Sequence, residues 1–204
     1  MRGDPTVFVV DDDPDVRKTL AWLVESIGLR AETFASAAEF LDAYAPARAG
    51  CLLLDVRLRG MSGYDLLERL GGRQAPLPVI MMTAYGDFPT AVRALRGGAS
   101  DIFEKPFNDQ EVLERITQAI ASDRAAREAR AGQATVGARL ALLTPREQGV
   151  LDLLMGGKTS RAIAAELGLS VRTVESHRTS IQQKMGTSST AQLVSMVLLA
   201  RARP

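Results

Sequence analysis

The chain has 204 residues, 46% of them hydrophobic and 24% charged, with a formal net charge of +1; this is the composition of an ordinary globular protein with material for one large or two small domains, and it excludes a disordered chain. The near-neutral sum hides an asymmetry, because residues 1–120 carry 13 Lys and Arg against 18 Asp and Glu whereas residues 121–204 carry 12 against 6, so only the back half is built for a polyanion. A single cysteine excludes an intramolecular disulfide and implies a reducing compartment, and the sequence has neither an apolar leader nor a run of about 18 apolar residues, which predicts a cytoplasmic protein without a membrane span.

In chain order, Thr6-Val7-Phe8-Val9-Val10 is a β-branched and aromatic run that predicts a strand ending on Asp11-Asp12-Asp13. Pro14 suits a first helical turn, and Val16, Leu20, Leu23, Val24 and Ile27 recur at helical spacing until Gly28. Trp22 falls within this helix and is read as packing. A short strand follows around Leu29–Phe34, then a helix over about Ala37–Tyr44 capped by Ser36. Cys51-Leu52-Leu53-Leu54-Asp55 is too short for a helix and reads as a strand covered on both faces, with a carboxylate at its tip. After the turn Gly60-Met61-Ser62-Gly63 come a helix over about Tyr64–Leu70, a strand Pro78–Met82 ending on Thr83, a helix over about Pro89–Arg96, a short strand Asp101–Glu104 ending on Lys105-Pro106, and a helix from near Asp109 past Ile120. Five strands alternating with five helices predict an α/β domain with a doubly wound parallel sheet over residues 1–121.

Ligands and chemistry in such sheets gather at the carboxyl ends of the strands. Those ends supply Asp11, Asp12, Asp55, Thr83 and Lys105. Crowded carboxylates repel unless a cation joins them, which implies a hard, oxygen-seeking ion such as Mg²⁺. Lys105 with that ion would neutralise an incoming phosphoryl group, Thr83 would donate to one of its oxygens, and one carboxylate would be the nucleophile.

Val10-Asp11-Asp12-Asp13, Leu54-Asp55, Met82-Thr83-Ala84 and Lys105-Pro106-Phe107, in this order and spacing, resemble the receiver domain of two-component response regulators, with a flavodoxin-like fold. The resemblance implies that Asp55 is the phosphoacceptor for a histidine kinase. Mg²⁺ would be held by Asp12, Asp55 and the backbone carbonyl of Arg57, with Asp11 acting through water. Lys105 would bridge to the phosphoryl oxygens across a cis Lys105-Pro106 bond, and Thr83 with Ala84 would respond to phosphorylation. The family's switch places an aromatic residue where this chain has Ile102, with Phe103 beside it; a one-residue shift on a strand turns Phe103 to the opposite face, so an aliphatic sensor at Ile102 is the favoured reading. Arg57 and Tyr85, near the mouth of the site, are candidates for tuning the lifetime of the phosphoryl group.

Residues 122–141 are rich in Ala and Arg and poor in large apolar groups, which predicts a solvated linker, helical to about Arg130 and able to bend at Gly132 and Gly137. Leu143-Thr144-Pro145-Arg146-Glu147 then opens a helix with a capping box, Gly156-Gly157 ends it, Thr159 or Ser160 caps a second, and Gly168-Leu169-Ser170 turns into a third over Val171–Met185. A fourth runs from Thr190 to about Ala202. Helix, glycine turn, helix is the helix-turn-helix pattern, and a polar third helix with Val174, Ile181 and Met185 on its inner face suits a major groove.

The segments Leu143-Thr144-Pro145-Arg146-Glu147, Ala162-Ile163-Ala164, Arg172 to Arg178 and Lys184-Met185-Gly186 resemble a LuxR-type DNA-binding domain over residues 142–204. By that resemblance Glu175, Ser176 and Thr179 face base edges, while Thr173, His177, Arg178 and Lys184 hold the DNA backbone; Arg172, on the polar surface of the same helix, is a further DNA-binding candidate able to reach phosphate or guanine. The two halves together resemble the FixJ/NarL class of response regulators. This implies a transcription regulator and not an enzyme beyond slow self-phosphorylation and dephosphorylation, with a sensor histidine kinase, promoter DNA and RNA polymerase as partners and a homodimer formed on phosphorylation. The fourth helix is a candidate dimer surface. A Mg²⁺-dependent aspartyl-phosphate hydrolase and a constitutive DNA-binding regulator are the competing classes.

Overall fold

The computed structural model describes residues 4–84 and 88–201, with only the backbone of Phe88. The motif positions Tyr85, Gly86 and Asp87 lie outside the described residues. Five strands, β1 (Thr6–Val10), β2 (Arg30–Phe34), β3 (Gly50–Asp55), β4 (Val79–Thr83) and β5 (Asp101–Glu104), form one parallel sheet in the order β2-β1-β3-β4-β5. The central strands β1, β3 and β4 are buried along their whole length, which is why each reads as an unbroken apolar run.

Alternation along these strands divides the interior into two cores. On one face Phe8, Val10, Leu52, Leu54 and Met81 meet α2 (Ala37–Ala43), α3 (Gly63–Arg69) and α4 (Phe88–Gly97) through Phe40, Leu66, Leu67 and Ala94. On the other, Val7, Val9, Leu53, Ile80 and Met82 meet α1 (Pro14–Ser26) and α5 (Asp109–Leu140) through Leu20, Val24, Val112 and Ile116. Local chemistry starts the helices: Ser36 caps α2 as expected, Asp13 accepts from Asp15 N at the start of α1, and Ser62, which the sequence shows only as part of a turn, makes a capping box with Asp65 on α3.

Contacts divide the chain into two compact units, Met1–Ala126 and Arg127–Pro204. The second unit packs α6 (Pro145–Met155), α7 (Ser160–Leu167), α8 (Val171–Met185) and α9 (Thr190–Arg201) around Val150, Leu151, Ile163, Val174, Ile181, Leu193 and Val197. Thr144, Thr159 and Ser170 cap α6, α7 and α8, and Gly168 and Gly186 close α7 and α8 in the left-handed conformation. No helix among the described residues is long and apolar enough to cross a membrane.

Three sequence expectations are corrected. Trp22 is 69% exposed: the inward stripe of α1 is Leu20, Leu23 and Val24, and a residue two positions from Leu20 points well away from it. Ile27, placed in that stripe, is also exposed, because it caps the helix instead of continuing it. The segment 122–141 is largely exposed, but it is helical well beyond Arg130. Helix α5 continues to Leu140, Gly132 and Gly137 are accommodated within it, and Val136 and Leu140 pack on the core of the second unit. Within the first unit Asp123 is 4% exposed and accepts from Gly50 N at 2.9 Å. Gly50 has φ +143°, and a Cβ there would fall 1.8 Å from the carbonyl oxygen of Thr6; the buried carboxylate satisfies the N–H of a backbone turn that only glycine can make.

Candidate functional site

Parallel register brings the carboxyl ends of β1, β3, β4 and β5 to one edge, with Val10 beside Leu54, Asp55 beside Met82 and Thr83 beside Glu104. There Lys105 Nζ donates to Asp11 Oδ2 at 2.6 Å and to Asp55 Oδ1 at 2.7 Å. Asp11 is 1% and Asp55 6% exposed. The other oxygens are held by backbone donors, Asp13 N to Asp11 Oδ1 at 3.0 Å and Arg57 N to Asp55 Oδ2 at 2.7 Å. Burial raises the Asp55 carboxyl above its ordinary range, with Lys105 pulling the other way and Asp11 adding to the rise. Burial alone would lower the Lys105 ammonium, but its bonds to Asp11 and Asp55 outweigh that and raise it. The Lys105-Pro106 bond is cis, as expected. Thr83 is buried at the end of β4, and its carbonyl accepts from Lys105 N at 2.7 Å; Ala84, next to it, is exposed.

Asp12 leans outward to Arg59, 3.1 Å from its Nε, and Arg17 donates to the carbonyl of Asp11 at 2.6 Å. Neither arginine was singled out in the sequence, where nothing separates them from other surface arginines. Gly63 was seen only as part of a turn. A Cβ there would lie 2.2 Å from the carbonyl oxygen of Asp55, so a side chain at the start of α3 would push the end of β3 away. Among the described residues no three His, Cys, Asp or Glu side chains are gathered tightly enough to cage a metal ion. The donors that the receiver resemblance implies, Asp12, Asp55 and the carbonyl of Arg57, are all oxygens, two of them at the ends of β1 and β3. Such a set fits Mg²⁺, which takes one or two carboxylates and keeps several of its waters.

Ile102 and Phe103 do face opposite ways. Ile102 packs on the α3 and α4 side, while Phe103 is buried on the α1 and α5 side, edge-on to Phe107 with ring centroids 5.4 Å apart. The aromatic side chain bridging α3 and α4 is Tyr64, whose hydroxyl donates to the carbonyl of Thr90 at 3.2 Å and whose ring lies 4.0 Å under the guanidinium of Arg93.

The second unit presents α8 as a polar surface helix. Arg172, Thr173, Glu175, Ser176 and Thr179 are exposed, and His177, Arg178 and Lys184 are half-buried. Local bonds order the small side chains: the Thr173 and Ser170 hydroxyls are 2.7 Å apart, and Ser176 and Thr179 donate to the carbonyls of Arg172 and Glu175. Arg178 ties α8 to its neighbours, donating to Ser160 Oγ at 2.7 Å, Thr190 Oγ1 at 3.3 Å and Glu175 Oε1 at 3.2 Å. Lys184 donates to Glu147 Oε2 at 2.7 Å.

Residues 7–117 match the family described as the response regulator receiver domain, and residues 141–197 match that described as bacterial regulatory proteins, luxR family. The transcriptional regulatory protein FixJ of Azorhizobium caulinodans is 42% identical over 97% of this chain and 94% of its own length. Nodulation protein W of Bradyrhizobium diazoefficiens is 42% identical over 93% of this chain and 84% of its own. The solved structure of the response regulator StyR, 42% identical, aligns with a TM-score of 0.86 over 96% of this chain and 99% of that one. The chain belongs to the two-component response regulators of the FixJ/NarL class, a receiver domain joined to a LuxR-type DNA-binding domain, and it regulates transcription.

Proposed function

We propose that Asp55 accepts a phosphoryl group from a sensor histidine kinase and that the modified receiver, by pairing with a second copy, drives the LuxR-type domain onto promoter DNA. The observation that carries this reading is the shared ammonium: Lys105 bridges the buried carboxylates of Asp55 and Asp11 at the edge where the strands end. An Asp55 oxygen attacks phosphorus, the bond from phosphorus to the donor imidazole breaks, and the imidazole keeps the electron pair. Lys105 turns from Asp55 to the new phosphoryl oxygens while keeping Asp11 as its anchor. Thr83, at the end of the neighbouring strand, donates its hydroxyl to the same group. Asp12, Asp55 and the Arg57 carbonyl would hold Mg²⁺, which would supply positive charge for the transferring oxygens. Ile102 is the residue on the α3 and α4 side that senses the movement of Thr83 and Ala84.

On the output side Glu175, Ser176 and Thr179 meet base edges, and Arg172, Thr173, His177 and Arg178 hold the DNA backbone. The protein acts in the cytoplasm, and RNA polymerase is its further partner at the promoter. Turnover is confined to slow loss of the phosphoryl group, because Val56 and Arg57, which follow the nucleophile, supply no general acid. The test is incubation of the full chain with acetyl phosphate. Intact mass should show one added phosphoryl group with Mg²⁺ present and none after chelation, whereas uptake independent of the metal would contradict the donor set.

A further inference from the structure

Among the described residues of the second unit, Glu147 is the buried acid, 4% exposed at the third position of α6. Both oxygens are engaged. Oε1 accepts from Ser180 Oγ at 2.6 Å, and Oε2 accepts from Thr144 N and from Lys184 Nζ, each at 2.7 Å. The capping box to Thr144 is legible in the sequence; the reach to α8 is not. The bond from Lys184, followed by those from Ser180 and Thr144, holds the Glu147 carboxyl down to about 2, so it is ionised at every physiological pH and its bonds are charge-assisted.

Ser180 and Lys184 lie four residues apart, on one side of α8. A single carboxylate fixed to the start of α6 therefore grips two successive turns of the groove-reading helix. The apolar side chains Val174, Ile181 and Met185 fix which face of α8 turns inward, and Arg178 adds bonds to α7 and α9, but apolar contact is non-directional and holds the exact angle on the α6 side only loosely. Directional bonds to a carboxylate determine it. Rotation matters here because Glu175, Ser176 and Thr179 lie on the exposed surface of the same helix, and base-edge readout fails when donors and acceptors shift by a fraction of a hydrogen-bond length.

We infer that Glu147, Ser180 and Lys184 form a clamp that sets the rotation of α8, and that Lys184 is a positioning residue for sequence recognition, acting through Glu147 and not on the DNA phosphates. This rests on the reading of α8 as the helix that enters the groove. Arg172, exposed at the second position of α8, takes the contrasting role of a phosphate contact.

The experiment uses the full chain, a duplex enriched from a randomised pool by the unsubstituted protein, and a shuffled duplex of the same base composition. Lys184→Met should weaken the enriched duplex roughly tenfold, the cost of about one misread base pair, and leave the affinity for the shuffled duplex and its salt slope unchanged. Lys184→Arg, which can keep the ion pair, should restore recognition. Glu147→Gln should reproduce the loss, and the double substitution should be no worse than one alone. Should Lys184→Met lower the folded fraction, Ser180→Ala removes one bond without touching charge and should give a smaller loss of the same selective kind. Arg172→Ala, by contrast, should weaken both duplexes and lower the slope by about one. Equal weakening of both duplexes by Lys184→Met, with the slope reduced by about one, would overturn the inference in favour of a phosphate contact; unchanged affinity for both would overturn it outright. A chain that enriched no duplex would overturn the groove-reading assignment as well, a result distinct from these two.

Discussion

Asp55→Asn should abolish phosphoryl uptake and leave the receiver folded. An amide oxygen cannot replace the carboxylate as nucleophile, yet it keeps the shape of the side chain and an acceptor for Arg57 N, and Lys105 retains Asp11. Acetyl phosphate with Mg²⁺ should therefore add one phosphoryl group to the unsubstituted chain and none to the variant. The variant should also be the more stable of the two at neutral pH. Burial raises the Asp55 carboxyl, so the folded state binds that proton more tightly than the unfolded state, and holding the group ionised costs stability once pH rises through the raised value. The advantage of Asn should shrink as pH falls into the ordinary carboxylate range. Undiminished labelling of the variant would move the acceptor to another residue.

Lys105→Met should have the largest effect on stability. It strips the shared cation from two carboxylates that are 1% and 6% exposed, and leaving buried charge unpaired costs about 3 kcal/mol or more. One of the pair must then take up a proton on folding, so the loss should be greatest at neutral pH and should lessen as the solution is acidified. Mg²⁺ can replace part of the missing charge. Binding to the folded state alone adds about 2.7 kcal/mol at a hundredfold excess over the dissociation constant, and the variant should gain more from the metal than the unsubstituted chain does. Urea midpoints with and without Mg²⁺ decide it; equal midpoints for the two proteins would mean that Lys105 is not the counter-charge of the site.

The parts of this molecule written in contiguous residues were legible in advance. The apolar runs of β1, β3 and β4, the caps Ser36 and Thr144, and the polar residues at the strand ends all follow from local pattern, and parallel register then forces Asp11, Asp55, Thr83 and Lys105 to one edge. What escaped was long-range pairing. Asp123 sits in an Ala and Arg stretch that looks solvated, and only the folded chain reveals that it serves Gly50 N, 73 positions away. Arg59 beside Asp12 and Lys184 on Glu147 are of the same kind: a charged side chain in a helix or loop has the same sequence signature whether it faces water or a partner. Helix propensity alone stops the linker helix near Arg130, and the packing of Val136 and Leu140 that sustains it further has no local signature. The hydrophobicity of Trp22 points inward, but its angular position on α1 turns it out.

The central claim is that chemistry at Asp55 is felt by α8, and DNA affinity measured in two phosphorylation states tests it most directly. The full chain and its Asp55→Asn variant are titrated onto an enriched duplex at fixed salt, each with and without acetyl phosphate and Mg²⁺. A coupling of about 1–3 kcal/mol corresponds to a change of roughly 5- to 150-fold, and tightening within that range should occur for the unsubstituted chain and be absent from the variant. Equal affinity in both states, or equal tightening in a chain without the carboxylate, would contradict it.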